Sequence, residues 1–300
     1  MSTHTIVPSR RTSILMLILG IIGISFGSIF VRLCDAPSLI IAAYRLSIAT
    51  LVVVPFQFTK GARETQRTRL KEAWFYLFAG SFLAMHFATW IASLQYTSVA
   101  SSVVLVSTNP IFVAILSTLL LKERLSRRAL IGAVIALAGC VWIARFDTRL
   151  GASNVKGDLL ALAGAVMMAG YLLTGRVVRR GTPLKEYVCR VYGIAAVILV
   201  ILCAFKEPNW IHFSARTYLF FALSALVPQS IGHTSLNWAL RFLPPVIVAT
   251  CTLFEPVGAS LLALAIFKEV LTWQKIAGGL VILTGVFLSM TEIPAAEATV

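Results

Sequence analysis

Glu255 is the one carboxylate well inside an apolar run, near the midpoint of Val246 to Phe267. A carboxylate at the centre of a bilayer is costly and faces a partner, a substrate or a water-filled path, so Glu255 is a candidate proton carrier, counter-ion or ligand-orienting group. Asn109 holds the matching place in an earlier run, because each residue is followed by a proline, and Pro110 and Pro256 are 146 residues apart. Two cations, Arg45 and Arg190, lie one to two turns inside their runs. Arg190 stands nearer a basic loop and reads as a side chain that snorkels to the interface. Arg45 is the candidate balance for Glu255 or holder of a substrate carboxylate. His86 and Trp90 are four residues apart, as are Gln229, His233 and Asn237 in turn, so each set shares a helical face. Such faces either supply stacking and hydrogen bonds to a pore or act as polar glue between helices. Ser28 joins the set of pathway candidates, although nothing in the sequence brings it beside His86 to form a nucleophile and base. No HExxH, GxGD or DDxxD pattern is present and there is no Walker A loop, which argues against an intramembrane enzyme and against ATP as direct energy source. No cofactor and no metal site are indicated.

These residues must be carried by membrane-spanning helices. Of the 300 residues 58% are hydrophobic and 13% charged, and the mean hydropathy is +0.88, leaving too little polar surface to cover a soluble globule. Hydropathy marks ten spans: Ile14 to Leu33, Leu39 to Phe58, Ala73 to Leu94, Val99 to Leu121, Leu130 to Phe146, Leu159 to Val178, Leu184 to Phe205, Leu219 to Leu240, Val246 to Phe267 and Ile276 to Met290. The net charge of +14 sits in short clusters between the runs, a distribution that fits cytoplasmic loops and not a nucleic-acid face. Arg10 and Arg11, Lys60 to Lys71, Lys122 to Arg128, Arg176 to Lys185 and Arg241 fall on one side, while the turns at Ala36-Pro37 and Gln95 to Thr97 carry almost none. Both termini are therefore expected in the cytoplasm. The five cysteines lie in or beside apolar segments with no CxxC pair, so neither a disulfide framework nor a metal centre is expected.

The chain repeats itself. Asn109 to Leu125 returns as Glu255 to Leu271, with Pro110 matching Pro256, Lys122-Glu123 matching Lys268-Glu269, and Gly132 and Gly139 matching Gly278 and Gly285. An ungapped match of prolines, glycines and charges indicates an internal duplication, residues 1–150 and 151–300. Five spans per unit is an odd number, so the second unit enters the membrane from the opposite side and the repeat is inverted. The fold class expected is thus an all-α integral membrane protein of ten helices in two inverted five-helix repeats. Pro110 and Pro256 are expected near the middle of continuous helices, each removing one backbone hydrogen bond and opening a kink on a cavity. The small residues Gly23 and Gly27, Gly132 and Gly139, and Gly278 and Gly285 are expected to pack helices closely.

Ser25-Phe26-Gly27-Ser28, Tyr44-Arg45-Leu46, Ala100 onward with Pro110, and Glu123-Arg124-Leu125 in the first half carry a family resemblance. Asn237 to Leu240, Glu255-Pro256-Val257 and Glu269 add to it in the second. From about Ile14 to Met290 the sequence resembles the EamA-domain transporters of the drug/metabolite transporter superfamily, with Phe26 standing where many members carry tryptophan. The resemblance implies a central cavity walled by both repeats, alternating access, and export of small metabolites such as amino acids; drug efflux, metabolite uptake or a non-transporting scaffold are the alternatives. The partners expected are a small-molecule substrate, the lipid bilayer of the cell inner membrane and protons as coupling ion, with no nucleic acid. A duplicated chain supplies both halves of a two-fold arrangement by itself, so a monomer is expected.

Overall fold

The computed structural model describes residues 8–58, 70–96, 102, 105–122, 126–145, 155–207, 209, 211–268 and 272–291. Within them every regular element is a helix. In chain order these are α1 (Arg10–Leu33), α2 (Ser38–Val53), α3 (Leu70–Ser93), α4 (Asn109–Leu116), α5 (Arg127–Arg145), α6 (Val155–Arg179), α7 (Leu184–Lys206), α8 (Ala215–Ser224), α9 (Thr234–Ala239), α10 (Pro245–Thr252), α11 (Glu255–Phe267) and α12 (Trp273–Met290). A 3-10 turn, Val54–Phe58, closes α2; wide π turns, Ser117–Leu121 and Ala225–His233, follow α4 and join α8 to α9. Six stretches of helix among the described residues are long and apolar enough to cross a bilayer, and Asn109–Leu121 and Ile276–Met290 are shorter apolar helices. Residues 59–69 and 146–154, and Glu123 and Glu269 of the repeated Lys-Glu pairs, lie outside the described residues.

Local sequence explains the helix boundaries. Ser9 accepts a bond from the Thr12 N–H at 3.1 Å and Ser214 accepts one from Thr217 at 3.2 Å, the usual side-chain answer to unpaired N–H groups at a helix start. Pro37 and Pro183 stand just ahead of α2 and α7, and their backbone shape admits entry to a helix but not its continuation backwards. In the apolar interior no water is present to satisfy the backbone, so helical bonding is obligatory there.

Contacts between the ends of the helices give the chain a consistent direction. Arg10 Nη2 reaches Met290 O at 3.5 Å, Ser289 Oγ donates to Ala129 O at 3.0 Å, Tyr76 Oη lies 3.1 Å from Thr182 Oγ1, and Arg176 Nη1 donates to Leu240 O at 3.0 Å. At the other ends Trp142 meets Trp273 with ring centroids 6.5 Å apart, Arg32 lies 4.3 Å over Phe267, and Lys156 lies 4.0 Å over Tyr96. Glycines bring helices into close contact. A Cβ on Gly23 would stand 2.7 Å from Gly232 Cα, and one on Gly139 would stand 2.8 Å from Gly278 O, so no larger residue fits either crossing without a backbone shift.

The pattern of contacts is symmetric under exchange of the two halves. α5 packs on α12 and α2 on α7; α3 against α6 is mirrored by α1 against the 225–233 stretch; α4 against α6 is mirrored by α1 against α11.

Candidate functional site

The site begins with two breaks in helices. Thr108 N–H bonds Leu105 O at 3.2 Å and Ile111 N–H bonds Thr108 O at 3.0 Å; 146 residues on, Phe254 N–H bonds Cys251 O at 3.1 Å and Val257 N–H bonds Phe254 O at 3.0 Å. These tight turns interrupt each apolar run just ahead of α4 and α11. Pro110 and Pro256 are accordingly the second residues of their helices, where a missing N–H costs little, and not kinks inside continuous ones. The expectation of mid-helix kinks is corrected here: bonding between residues three apart tightens the chain ahead of each proline. Neither proline lines the cavity; each instead begins the helix that presents the residue before it.

Asn109 and Glu255 then diverge. The Asn109 amide donates to Val106 O at 3.2 Å, the carbonyl that Pro110 leaves without its helical partner. That bond points Asn109 Oδ1 elsewhere, and the atom is buried without a hydrogen-bond partner. Glu255 has no amide hydrogen for the same task, and its carboxylate faces a cavity.

That cavity encloses about 610 Å³ of empty space when the open solvent at its mouth is included. Arg45, His86, Trp90 and Asn109 enter it from the first half of the chain and His233 and Glu255 from the second. His86 and Trp90 stack at a centroid distance of 6.0 Å with planes 7° apart, in keeping with one helical face. His86 Nδ1 lies 2.9 Å from Gly164 O, and since a carbonyl only accepts, this nitrogen carries the hydrogen. Arg45 is 2% exposed; its Nε donates to Gln229 Oε1 at 3.0 Å, and its guanidinium lies 4.3 Å over the Phe87 ring. Gln229 thus stands behind Arg45 and outside the lining.

Other placements differ from expectation. No ion pair joins Arg45 to Glu255 among the described residues. Ser28 is half-buried and outside the lining. Asn237 stands outside the lining: its side-chain oxygen accepts from Tyr171 Oη at 2.8 Å and its amide nitrogen donates to Tyr192 Oη at 3.4 Å, which in turn donates to Gln229 O at 3.4 Å. Arg190 pairs with Glu186 at 3.0 Å with a third of its side chain exposed, as its place near the interface suggested. A further buried cation escaped sequence reasoning. Arg179 is 1% exposed, donates from Nε to Asn237 O at 3.0 Å and bonds Thr182 O as well. The signal available was its position at the C-terminus of a long apolar run with a neighbouring arginine on the loop side, which disguised it as a loop charge. Phe87 was likewise missed, because only the fold sets Arg45 over its ring.

The EamA-like transporter family matches residues 11–145 and again 155–291. The chain belongs to the EamA-like transporter family. Relatives include the "Uncharacterized transporter YyaM" of Bacillus subtilis (strain 168), 26% identical over 249 residues that cover 81% of each chain. An "Uncharacterized transporter" of Archaeoglobus fulgidus is 25% identical, covering 88% of this chain and 91% of its own. "Solute carrier family 35 member G1" of Mus musculus is 24% identical, covering 85% and 72%. One solved crystal structure superposes with a TM-score of 0.81 at 17% identity, over 95% of this chain and 98% of that one, which supports the fold. The chain is a multi-pass helical membrane transporter.

Proposed function

We propose that the protein is a ten-span secondary transporter that moves small metabolites such as amino acids out of the cell by alternating access. One observation carries the reading: a cavity walled by both halves holds a buried cation, Arg45, from the first and a carboxylate, Glu255, from the second. A scaffold without transport has no use for two opposite charges kept inside a membrane. Two inverted five-helix units, residues 1–150 and 151–300, account for the exchange-symmetric contacts and for the tight turns repeated 146 residues apart. In such repeats the halves rock about a fixed central site, and this cavity is the candidate for that site. The basic residues Arg10, Arg127, Arg128, Arg176 and Arg241 lie toward the ends held together by the Arg10–Met290, Ser289–Ala129 and Arg176–Leu240 contacts, which supports cytoplasmic termini in the inner membrane. Protons are the proposed coupling ion, carried by Glu255.

The test compares metabolites inside and outside cells with and without the protein, then measures flux of the leading candidate in proteoliposomes. A compound that accumulates outside only in expressing cells, and that crosses only protein-containing vesicles, is expected. Identical profiles across broad metabolite coverage, together with no flux, would remove the transport reading.

A further inference from the structure

Arg45 and Glu255 line one cavity with opposite charges, yet no ion pair joins them among the described residues. Opposite charges attract strongly where the dielectric is low, and an arginine carries its guanidinium on a long, flexible stem. The two groups also approach a common helix. Arg45 Nη1 borders α1, 3.8 Å from where a Cβ on Gly27 would stand, and α1 packs against α11, the helix that Glu255 begins. A guanidinium free to turn would close on the carboxylate, so something holds it back.

The hold is on the side away from the cavity. Gln229 Oε1 accepts from Arg45 Nε at 3.0 Å, and the guanidinium lies 4.3 Å over the Phe87 ring. Nε is the donor nearest the stem, so a bond there fixes the direction in which the two terminal nitrogens point. Phe87 is braced in turn by His233, edge to face at 5.5 Å between centroids. The Gln229 backbone is held as well: in the wide turn Ala225–His233 its carbonyl accepts from the Thr234 N–H and from Tyr192 Oη at 3.4 Å.

The amide shows what Gln229 is for. The residue is 0% exposed, and its Nε2 is buried without a hydrogen-bond partner among the described residues. A buried amide nitrogen without an acceptor costs stability that a leucine or methionine filling the same space would not. What the amide supplies in return is the oxygen on Arg45. A carboxylate there would pair with the guanidinium and cancel its charge, whereas a neutral amide takes one donor and leaves the positive charge to the cavity. We propose that Gln229 is a positioning residue of the cavity, which by taking the Nε donor keeps Arg45 from closing on Glu255 and leaves both charges open to the cavity. This rests on the transport reading and adds to it the residue that keeps its two charges apart.

The experiment is a double-mutant cycle on the purified full-length protein, read as thermal unfolding midpoints. In the unaltered protein the shifts caused by Arg45→Gln and Glu255→Gln are expected to add in the double variant to within about 2 °C, the shift that a tenfold change in the unfolding constant makes in a chain this long. Gln229→Met keeps the length of the side chain and removes the acceptor, so Arg45 reaches Glu255. In that background either substitution breaks the new pair, and the double variant should fall short of the sum by more than about 2 °C. A glutamine with only a packing role would lower every midpoint and leave the sums intact, so lost additivity between two other residues separates positioning from packing. Should Gln229→Met fail to elute as a folded species, Phe87→Leu, which removes the ring beneath the guanidinium, takes its place with the same loss of additivity expected. Additive shifts in the loosened protein would overturn the proposal. So would a shortfall of that size in the unaltered protein, since the charges would then be paired already. No substrate enters the measurement, so either result leaves transport to be judged by the cell metabolite comparison.

Discussion

Glu255 and Arg45 face one cavity without touching, and this separation decides what substitution should do. Were they a tight buried pair, removing one partner would cost several kcal/mol in fold stability. Since no bridge joins them among the described residues, Glu255→Gln is expected to fold and insert normally. As the proposed proton carrier it should lose gradient-driven flux, while substrate exchange persists at raised substrate concentration. Flux in proteoliposomes with and without a pH gradient reads this directly, and gradient-driven flux at the unaltered rate would eliminate both proton carriage and substrate orientation by Glu255. Arg179 belongs to the opposite case. Its bonds to Asn237 O and Thr182 O close a helix end, so Arg179→Met leaves the buried Asn237 carbonyl without this donor at about 1–3 kcal/mol. A fall in the thermal unfolding midpoint in detergent is expected; an unchanged midpoint would show that the Asn237 carbonyl finds another donor.

At the level of elements, the duplication extends into backbone geometry. Lys122 and Lys268 both end their helices in the left-handed region, with φ of 52° and 59°, and both direct their N–H to the carbonyl five residues back, Ser117 and Ala263. Left-handed backbone costs a residue with a Cβ about 1 kcal/mol, and glycine nothing. Lys268→Gly is therefore expected to raise the unfolding midpoint slightly and Lys268→Val to lower it. Equal effects of the two would mean that the stop is set by packing and not by backbone conformation. The repeated turns ahead of Pro110 and Pro256 belong to the same design, for they put Asn109 and Glu255 at the starts of half-length helices facing the cavity.

For the whole molecule, the proposed topology predicts where the two ends of α6 lie. Gln95, just past α3 and beside the start of α6, and Gly181, just past its end, are exposed, and nothing stands within 4 Å of a Cβ at Gly181. Gln95→Cys should react with an impermeant thiol reagent added outside cells, and Gly181→Cys only after the membrane is opened, with the native cysteines replaced in both. Labelling of both from the same side would contradict ten alternating spans.

Much of this was legible in the residues because the bilayer simplifies the code. Without water the backbone must be helical, so apolar length marked the helices, loop arginines and lysines suggested their direction, and an unbroken register of prolines, glycines and charges revealed the repeat. Costly residues such as Glu255, Arg45 and Asn109 stood out on an apolar background, and tertiary structure brought them with His86, Trp90 and His233 to one cavity. What the sequence could not determine were relations between helices far apart in the chain and departures from the regular 3.6-residue turn. The tight turns moved Pro110 and Pro256 from helix middles to helix starts, bonds to Tyr171 and Tyr192 took Asn237 out of the cavity lining, and burial turned Arg179 from a loop charge into a helix clasp. Whether Arg45 meets Glu255 or leaves a gap for a ligand rests on the placement of Gln229 and Phe87, 184 and 42 residues away along the chain. No local pattern encodes such distances; packing of the two halves sets them.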